Sequence, residues 1–283
     1  MVADNDAMHV LGASVAGADL CGFKTWVNIG GKSSTVVILF SAIDGTCQAV
    51  IEATALGQTR TAAMTGVGTK HLAPVNADEM TIIGTGKQAL PQVAACMAVL
   101  PLKKLRIYSR SSKNRQRLAD AVKAQFDLKI TLSESLEDSV KDVPVITVVT
   151  NSTEPFLTSE MVSSGTHINA MGAIVLARTE FTTDIFLRCA IVAVDNLETI
   201  QNISSEFRAY YDEENRDWSE VLTIASIIDE NITRPANADL TLFKAMGMGL
   251  SDMALACDIL KKAREQNLGQ EVPERIKTPP ILK

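Results

Sequence analysis

Aromatic residues make up only 5% of this 283-residue chain, and neither sign of charge dominates a long segment. With 27 lysines and arginines against 33 aspartates and glutamates, the net charge is −6, which argues against nucleic acid as a partner. Five cysteines (Cys21, Cys47, Cys96, Cys189, Cys257) are odd in number and lack any C-x-x-C spacing. That excludes a disulfide framework and a cysteine metal site, and fits small buried residues of a reducing compartment. Three histidines, His9, His71 and His167, stand too far apart for a local metal motif, so no metal is expected. No apolar run approaches a membrane span, and no basic-then-apolar leader opens the sequence. A soluble, cytoplasmic protein is expected. At 46% hydrophobic, the chain can bury a sizeable core and is long enough for two domains.

The most informative stretch is Met80-Thr-Ile-Ile-Gly-Thr-Gly-Lys-Gln-Ala89. A β-branched apolar run enters a Gly84-x-Gly86-x-x-Ala89 turn, and an amphipathic segment follows. Strand, glycine turn and helix are the parts of a pyrophosphate site. Gly84 supplies the tight turn, Gly86 lets the backbone approach phosphates, and Ala89 lets helix and strand pack closely. Thr85, Lys87 and Gln88 complete the cofactor-binding turn. Lys104–Tyr108 reads as the next strand, ending in Ser109-Arg110-Ser111-Ser112-Lys113. An NAD site carries a carboxylate at that strand end, which would repel a 2′-phosphate. Ser109, Arg110, Ser111 and Lys113 suit a phosphate dianion instead, although the same residues would also make a solvated basic turn. NADPH is the expected cofactor, with NADH a weaker alternative. Thr150, Asn151 and Ser152 follow another β-rich run, where they can meet the cofactor ribose or amide or form an Asn-Ser turn.

From about Asp78 to Asp239 strand-like and helix-like segments alternate. Strands are predicted at Thr81–Ile83, Leu105–Tyr108, Lys129–Leu132, Val145–Val149, His167–Ala170 and Ala190–Val194. Helical patterns cover Lys113–Phe126, Leu157–Val162 and Ser219–Ile224. Such alternation implies a largely parallel sheet with helices on both faces. Before it, Phe23–Ile29, Ser34–Ser41 and Gln48–Ala53 read as antiparallel strands, the last two joined at Asp44-Gly45, and a helix spans about Thr59 to Leu72. Leu242–Arg264 reads as one long helix with Met246, Leu250, Met253, Cys257 and Leu260 on one stripe. The expected fold class is α/β: a Rossmann-type dinucleotide-binding domain over 78–243, and a smaller discontinuous α+β domain from 1–77 and 244–283.

Six blocks together resemble the ornithine cyclodeaminase/μ-crystallin family. They are Gly22-Phe-Lys24, Thr59-Arg60-Thr61-Ala-Ala, the Gly84 turn, Thr150-Asn-Ser-Thr-Glu-Pro155, Gly165-Thr-His-Ile-Asn-Ala-Met-Gly172 and Thr241-Leu-Phe-Lys-Ala-Met-Gly247. Their order and spacing match over nearly the whole chain. The resemblance implies that the smaller domain binds substrate and dimerises, giving a homodimer. It implies reduction of imines, oxidation of amino acids or cyclisation of diamino acids, with some members only binding ligands. Lys24 then matches a lysine that contacts the substrate carboxylate and can move protons. Arg60 matches an arginine assigned to that carboxylate or to cofactor phosphates. Asn169, Met171 and Gly172 resemble the loop over the nicotinamide.

Two departures narrow the reading. Cyclodeaminating members carry an aspartate just after the Asn-Ala-x-Gly block to engage the substrate amine, and here that position is Ile174. Isoleucine can neither hold an ammonium group nor act as a base, but it can wall a small apolar ring. The family also has several tens of residues before the Gly-x-Lys strand, including a further carboxylate-gripping arginine. Here either the start is misassigned, the chain is a shortened variant with exposed strand edges, or another residue substitutes. The expected activity is NADPH-dependent reduction of a cyclic imino acid, Δ1-pyrroline-2-carboxylate or its six-membered analogue. Ornithine or lysine cyclodeamination and non-catalytic ligand binding are the alternatives.

Overall fold

A computed structural model describes residues 7–30, 32–272 and 279–280. The chain opens with four strands, β1 (Ala7–Val15), β2 (Leu20–Ile29), β3 (Lys32–Ser41) and β4 (Cys47–Glu52). There follow α1 (Thr54–Leu72), β5 (Glu79–Ile83), α2 (Ala89–Met97), β6 (Lys104–Tyr108), α3 (Ser112–Lys123), β7 (Lys129–Leu132) and α4 (Leu136–Val140). The remainder is β8 (Val145–Val148), β9 (His167–Ala170), β10 (Cys189–Val194), α5 (Leu197–Ile203), α6 (Ser205–Tyr211), β11 (Val221–Thr223), α7 (Ile224–Asp229), β12 (Leu240–Lys244) and α8 (Gly249–Glu265). Two compact units emerge, one of residues 53–251 and one of residues 1–52 with 252–283.

The larger unit holds an eight-stranded sheet in the order β11-β10-β12-β9-β8-β5-β6-β7, parallel throughout. Residues of β8, β9 and β12 are buried without alternation, as expected for strands covered on both faces. Successive strands run outward from β5 to β7, then restart at β8 on the other side of β5. Ligands of open parallel sheets bind at such a switch point, beyond the carboxyl ends of the strands. The few aromatics are concentrated: Phe181, Phe186, Phe207, Tyr210, Tyr211 and Trp218 stack in one group beside β10.

Three predicted helices are corrected here. Ser219–Ile224 is a 3-10 turn at Trp218–Glu220 followed by β11, with α7 starting only at Ile224. Leu157–Val162 is a bridge from Leu157 to Phe181 and a single 3-10 turn. The long helix read over Leu242–Arg264 begins instead as β12, whose five residues are all buried between β9 and β10. A strand buried on both faces shows an unbroken apolar run, which mimics the start of an apolar helix. Gly247, at φ +92°, then breaks the chain direction before α8.

In the smaller unit β1-β2-β3-β4 form an antiparallel meander, with Gly45 at φ +75° in the expected β3–β4 turn. Pairing aligns Leu11, Lys24, Val37 and Ile51 across one face. On α8, Asp252, Met253, Ala256 and Leu260 are buried at a helical spacing, and Asp252 reaches Lys24 on that face. The opposite face carries Val10, Phe23, Val36, Ile38 and Val50 by strand alternation. Val10 and Val50 are exposed and the others only partly covered.

Candidate functional site

A cleft of about 960 Å³ opens in the larger unit beyond the carboxyl ends of β5, β6, β8 and β9. Its floor is the glycine turn. Gly84 sits at φ +108°, and a Cβ there would collide with the Val149 carbonyl group, so no other residue fits this turn. Gly86 contrasts with it, since a Cβ at that residue would meet nothing within 4 Å. The turn therefore presents bare backbone to the open cleft. Immediately after it, α2 begins at Ala89 with no side chain capping its N-terminus, leaving amide dipoles directed at whatever anion occupies the turn. These features fit a dinucleotide pyrophosphate.

Thr85, Lys87 and Gln88 line the same floor. Around the end of β6 the cleft is lined by Ser109, Arg110, Ser111 and also Asn114. Thr85 Oγ1 donates to Ser109 Oγ at 3.2 Å, and Ser111 Oγ caps α3 by accepting from the Asn114 amide at 3.3 Å. Arg110 is exposed at the rim. Lys113 is exposed on α3 and is not among the lining residues. The neighbouring Arg115 is buried and committed: it donates to the Ser109 carbonyl at 2.7 Å and pairs with Glu134 at 2.7 Å. It shapes the loop and leaves Arg110 as the cation at this end of β6 that lines the cleft.

On the other side of the turn stand Thr150, Asn151 and Ser152 after β8, with Met171 and Gly172 after β9. Ser152 Oγ donates to the Glu154 carbonyl at 2.6 Å and accepts from its amide, the expected local turn. Asn169 departs from the expected position. It points into a buried polar file beneath α1, donating to Thr69 Oγ1 at 3.0 Å and meeting His167 Nε2 at 3.1 Å. Burial pushes the His167 imidazole down to about 3, so it is neutral in the folded protein. Met171 is buried, and Ile174, 42% exposed, lines the cleft wall.

Arg60 projects from α1 into this cleft against Gly247, where a Cβ would lie 2.8 Å from its Nη1. The loop carrying Gly247 is held by Asp195, which accepts from the amides of Met246 at 3.0 Å and Gly247 at 2.7 Å. Burial raises the Asp195 carboxyl above the usual carboxylate range, against the pull of these amides and of Arg60. Local sequence does not announce Asp195, because the amides it holds lie 51 and 52 residues further along the chain. Lys24, the other expected substrate contact, lies on β2 of the smaller unit. It is buried, 2.6 Å from Asp252 Oδ1 and 4.9 Å from the Trp26 ring centre. A carboxylate partner 228 residues away left no trace in local sequence.

Glu180 was also missed. It is fully buried and accepts from four donors on the two loops beside the cleft. Among the described residues no group of histidines, cysteines and carboxylates could hold a metal ion, and no helix is long and apolar enough to cross a membrane.

Comparison with known proteins agrees with this architecture. The profile of the ornithine cyclodeaminase/mu-crystallin family matches residues 2–267. A Delta(1)-pyrroline-2-carboxylate reductase of Bacillus cereus is 27% identical over 247 residues, 86% of this chain and 76% of the relative. The ketimine reductase mu-crystallin of Mus musculus is 30% identical over 223 residues, 78% of this chain and 66% of the relative. Among solved structures, Thermococcus litoralis Delta(1)-pyrroline-2-carboxylate reductase, in complex with NADH and L-proline, superposes with a TM-score of 0.88. That match has 24% identity and covers 95% of this chain and 85% of that one. The chain belongs to the ornithine cyclodeaminase/mu-crystallin family.

Proposed function

We propose that this protein reduces a cyclic 2-imino acid, Δ1-pyrroline-2-carboxylate or the six-membered Δ1-piperideine-2-carboxylate, with NADPH. The observation that carries the choice within the family is Ile174. It lines the cleft where cyclodeaminating members are expected to carry an aspartate, so the wall there is apolar. A ring whose carbon–nitrogen double bond already exists needs no amine-gripping carboxylate. The activities named for the Bacillus and mouse relatives support the same reading.

Gly84, Thr85, Gly86, Lys87 and Gln88 would hold the pyrophosphate. Ser109, Arg110 and Ser111 would hold the adenosine end, and no carboxylate lines the cleft at the end of β6 to repel a 2′-phosphate. Lys113 would add only long-range attraction from its exposed position. Thr150, Asn151, Ser152 and Met171 would border the nicotinamide half. When bound, the reduced nicotinamide supplies hydride to the imine carbon. Arg60 would fix the substrate carboxylate through its planar fork, and orientation of this kind can lower a barrier by roughly 7–11 kcal/mol in favourable cases. The assignment of Lys24 as second carboxylate contact and proton donor rests on the resemblance alone. All five cysteines are free, which fits a reducing cytoplasm. The half-open apolar face of the β1–β4 sheet is a self-complementary candidate for a homodimer contact.

Steady-state oxidation of NADPH with pyrroline-2-carboxylate tests the proposal. Turnover lost in Arg60→Ala and Lys24→Ala is expected, and unchanged turnover in both would reject their roles. Ammonia release from ornithine without net NADPH consumption would replace the proposal with cyclodeamination. Tight binding of NADPH without turnover of any imino or keto acid would make the protein a ligand carrier.

A further inference from the structure

We infer that Glu180 is a positioning residue for the nicotinamide half of the cleft, setting the spacing of its two flanking loops. The inference rests on the dinucleotide reading above. The backbone ladder between β8 and β9 ends at Val148 and Ala170, with a last bond from the Met171 amide to the Val148 carbonyl at 2.8 Å. Among the described residues no backbone pairing then joins Thr150–Asn151 to Gly172–Ala173, until the loops meet again where the Thr179 amide donates to the Ser152 carbonyl and at the Leu157–Phe181 bridge. Glu180 takes over. Its Oε1 accepts from the Thr150 amide at 2.6 Å and the Thr150 hydroxyl at 2.8 Å. Its Oε2 accepts from the Gly172 amide at 2.8 Å and the Ala173 amide at 3.1 Å. One carboxylate thus acts as a side-chain rung between the loop after β8 and the loop after β9.

The rung is itself held from behind. The Glu180 amide donates to Glu206 Oε1 at 3.0 Å, and its carbonyl accepts from the Phe156 and Leu157 amides. Lys244 Nζ lies 3.8 Å from Glu206 Oε1 and donates to the Ala173 carbonyl at 2.7 Å. Ala173 is therefore gripped through its amide by Glu180 and through its carbonyl by Lys244. Glu180, Glu206 and Lys244 are all buried. Gly172 records how tight the assembly is, because a Cβ there would overlap both Glu180 Oε1 and the Thr150 backbone.

Stability alone does not account for this arrangement. Buried ion pairs are often matched or bettered by apolar packing of similar volume. All four donors to the Glu180 side chain belong to the loops that line or adjoin the cleft. By the topology of the fold, the adenosine end of a dinucleotide lies over β6 and its other end over β8 and β9. Glu180 consequently governs one end of the site and leaves the other alone.

That asymmetry is the test. Calorimetry would compare NADPH with adenosine 2′,5′-bisphosphate, a fragment confined to the adenosine end, on wild type, Glu180→Gln and Glu180→Asp. Glu180→Gln replaces one acceptor with a donor that faces either the Gly172 and Ala173 amides or the Thr150 amide. NADPH affinity is expected to fall about tenfold or more, with the fragment's affinity unchanged within about twofold. Glu180→Asp keeps the charge with a shorter reach and should show the same split at smaller size, which carries the test if the Gln variant does not fold. Equal weakening of both ligands, or of neither, would overturn the positioning role. Wild type binding neither of these ligands nor NADH would instead reject the dinucleotide reading itself.

Discussion

Gly84 and Gly86 lie two residues apart, and the structure assigns them opposite sensitivities. An alanine at 84 must adopt φ +108° and press its methyl on the Val149 carbonyl group, whose carbon would lie 2.9 Å away. The backbone strain costs about 1–2 kcal/mol and the overpacking about 1–3 kcal/mol more. In a unit of about 200 residues, that total lowers the melting temperature by roughly 4–20 °C. An alanine at 86 meets nothing within 4 Å, so the unfolding free energy of Gly86→Ala should stay within about 0.5 kcal/mol of wild type. Its methyl nevertheless occupies the surface that a pyrophosphate must approach. Thermal unfolding with and without dinucleotide separates the two effects. At a ligand concentration of about 100 Kd, wild type gains roughly 2.7 kcal/mol. A tenfold weaker Gly86→Ala gains only about half of that at the same concentration. If Gly86→Ala binds NADPH as tightly as wild type, the phosphates do not sit on this turn and the pyrophosphate site lies elsewhere.

Other outcomes follow from single residues. Arg110→Ala should weaken NADPH roughly tenfold while leaving NADH within about twofold, and the difference should shrink in high salt, as fluorescence titration would reveal. His167 has its folded-state pKa depressed to about 3 from 6.5, so its contribution to stability is complete above about pH 6.5. It is lost as the pH falls, by about 1.4 kcal/mol per unit between 6.5 and 3. Urea midpoints measured from pH 7.5 to 5 should show that slope, and His167→Gln should flatten it; an equal slope in both proteins would contradict the assignment. Ile38→Lys places a charge in the middle of the open apolar sheet face and should leave monomers in sedimentation experiments. A dimer that persists in this variant puts the contact elsewhere.

Much of the larger unit was legible because its signals are local. The β5 turn carries glycine at two set positions, and the strands from β5 to β10 are short runs separated by helices and 3-10 turns. The misreadings share a cause, namely that distant partners outrank local pattern. Leu242–Lys244 reads as a helix start, yet the neighbours that make Leu240–Lys244 a strand are β9 and β10. Strand β1 escaped notice because Ala7–Val15 holds few β-branched residues and includes Gly12, and its pairing with β2 decides its conformation. Within the site, the glycines and the β6 serines could be named from spacing alone. Glu180, Asp195 and the Asp252 partner of Lys24 could not, since each acts on groups far along the chain. Arg115 shows the converse, a cation in the basic cluster that is spent on Glu134 and a backbone carbonyl.

The late arrival of β12 has a kinetic meaning. Strands β10 and β11 join the rest of the large sheet only through β12, which bonds to β9 on one side and β10 on the other. A nascent chain that has emerged only as far as the end of α7 therefore carries two sheet fragments with unpaired inner edges. Such edges invite association with other unfinished chains. Closure waits for residues 240–244, and chaperone dependence is expected to follow how long that gap stays open.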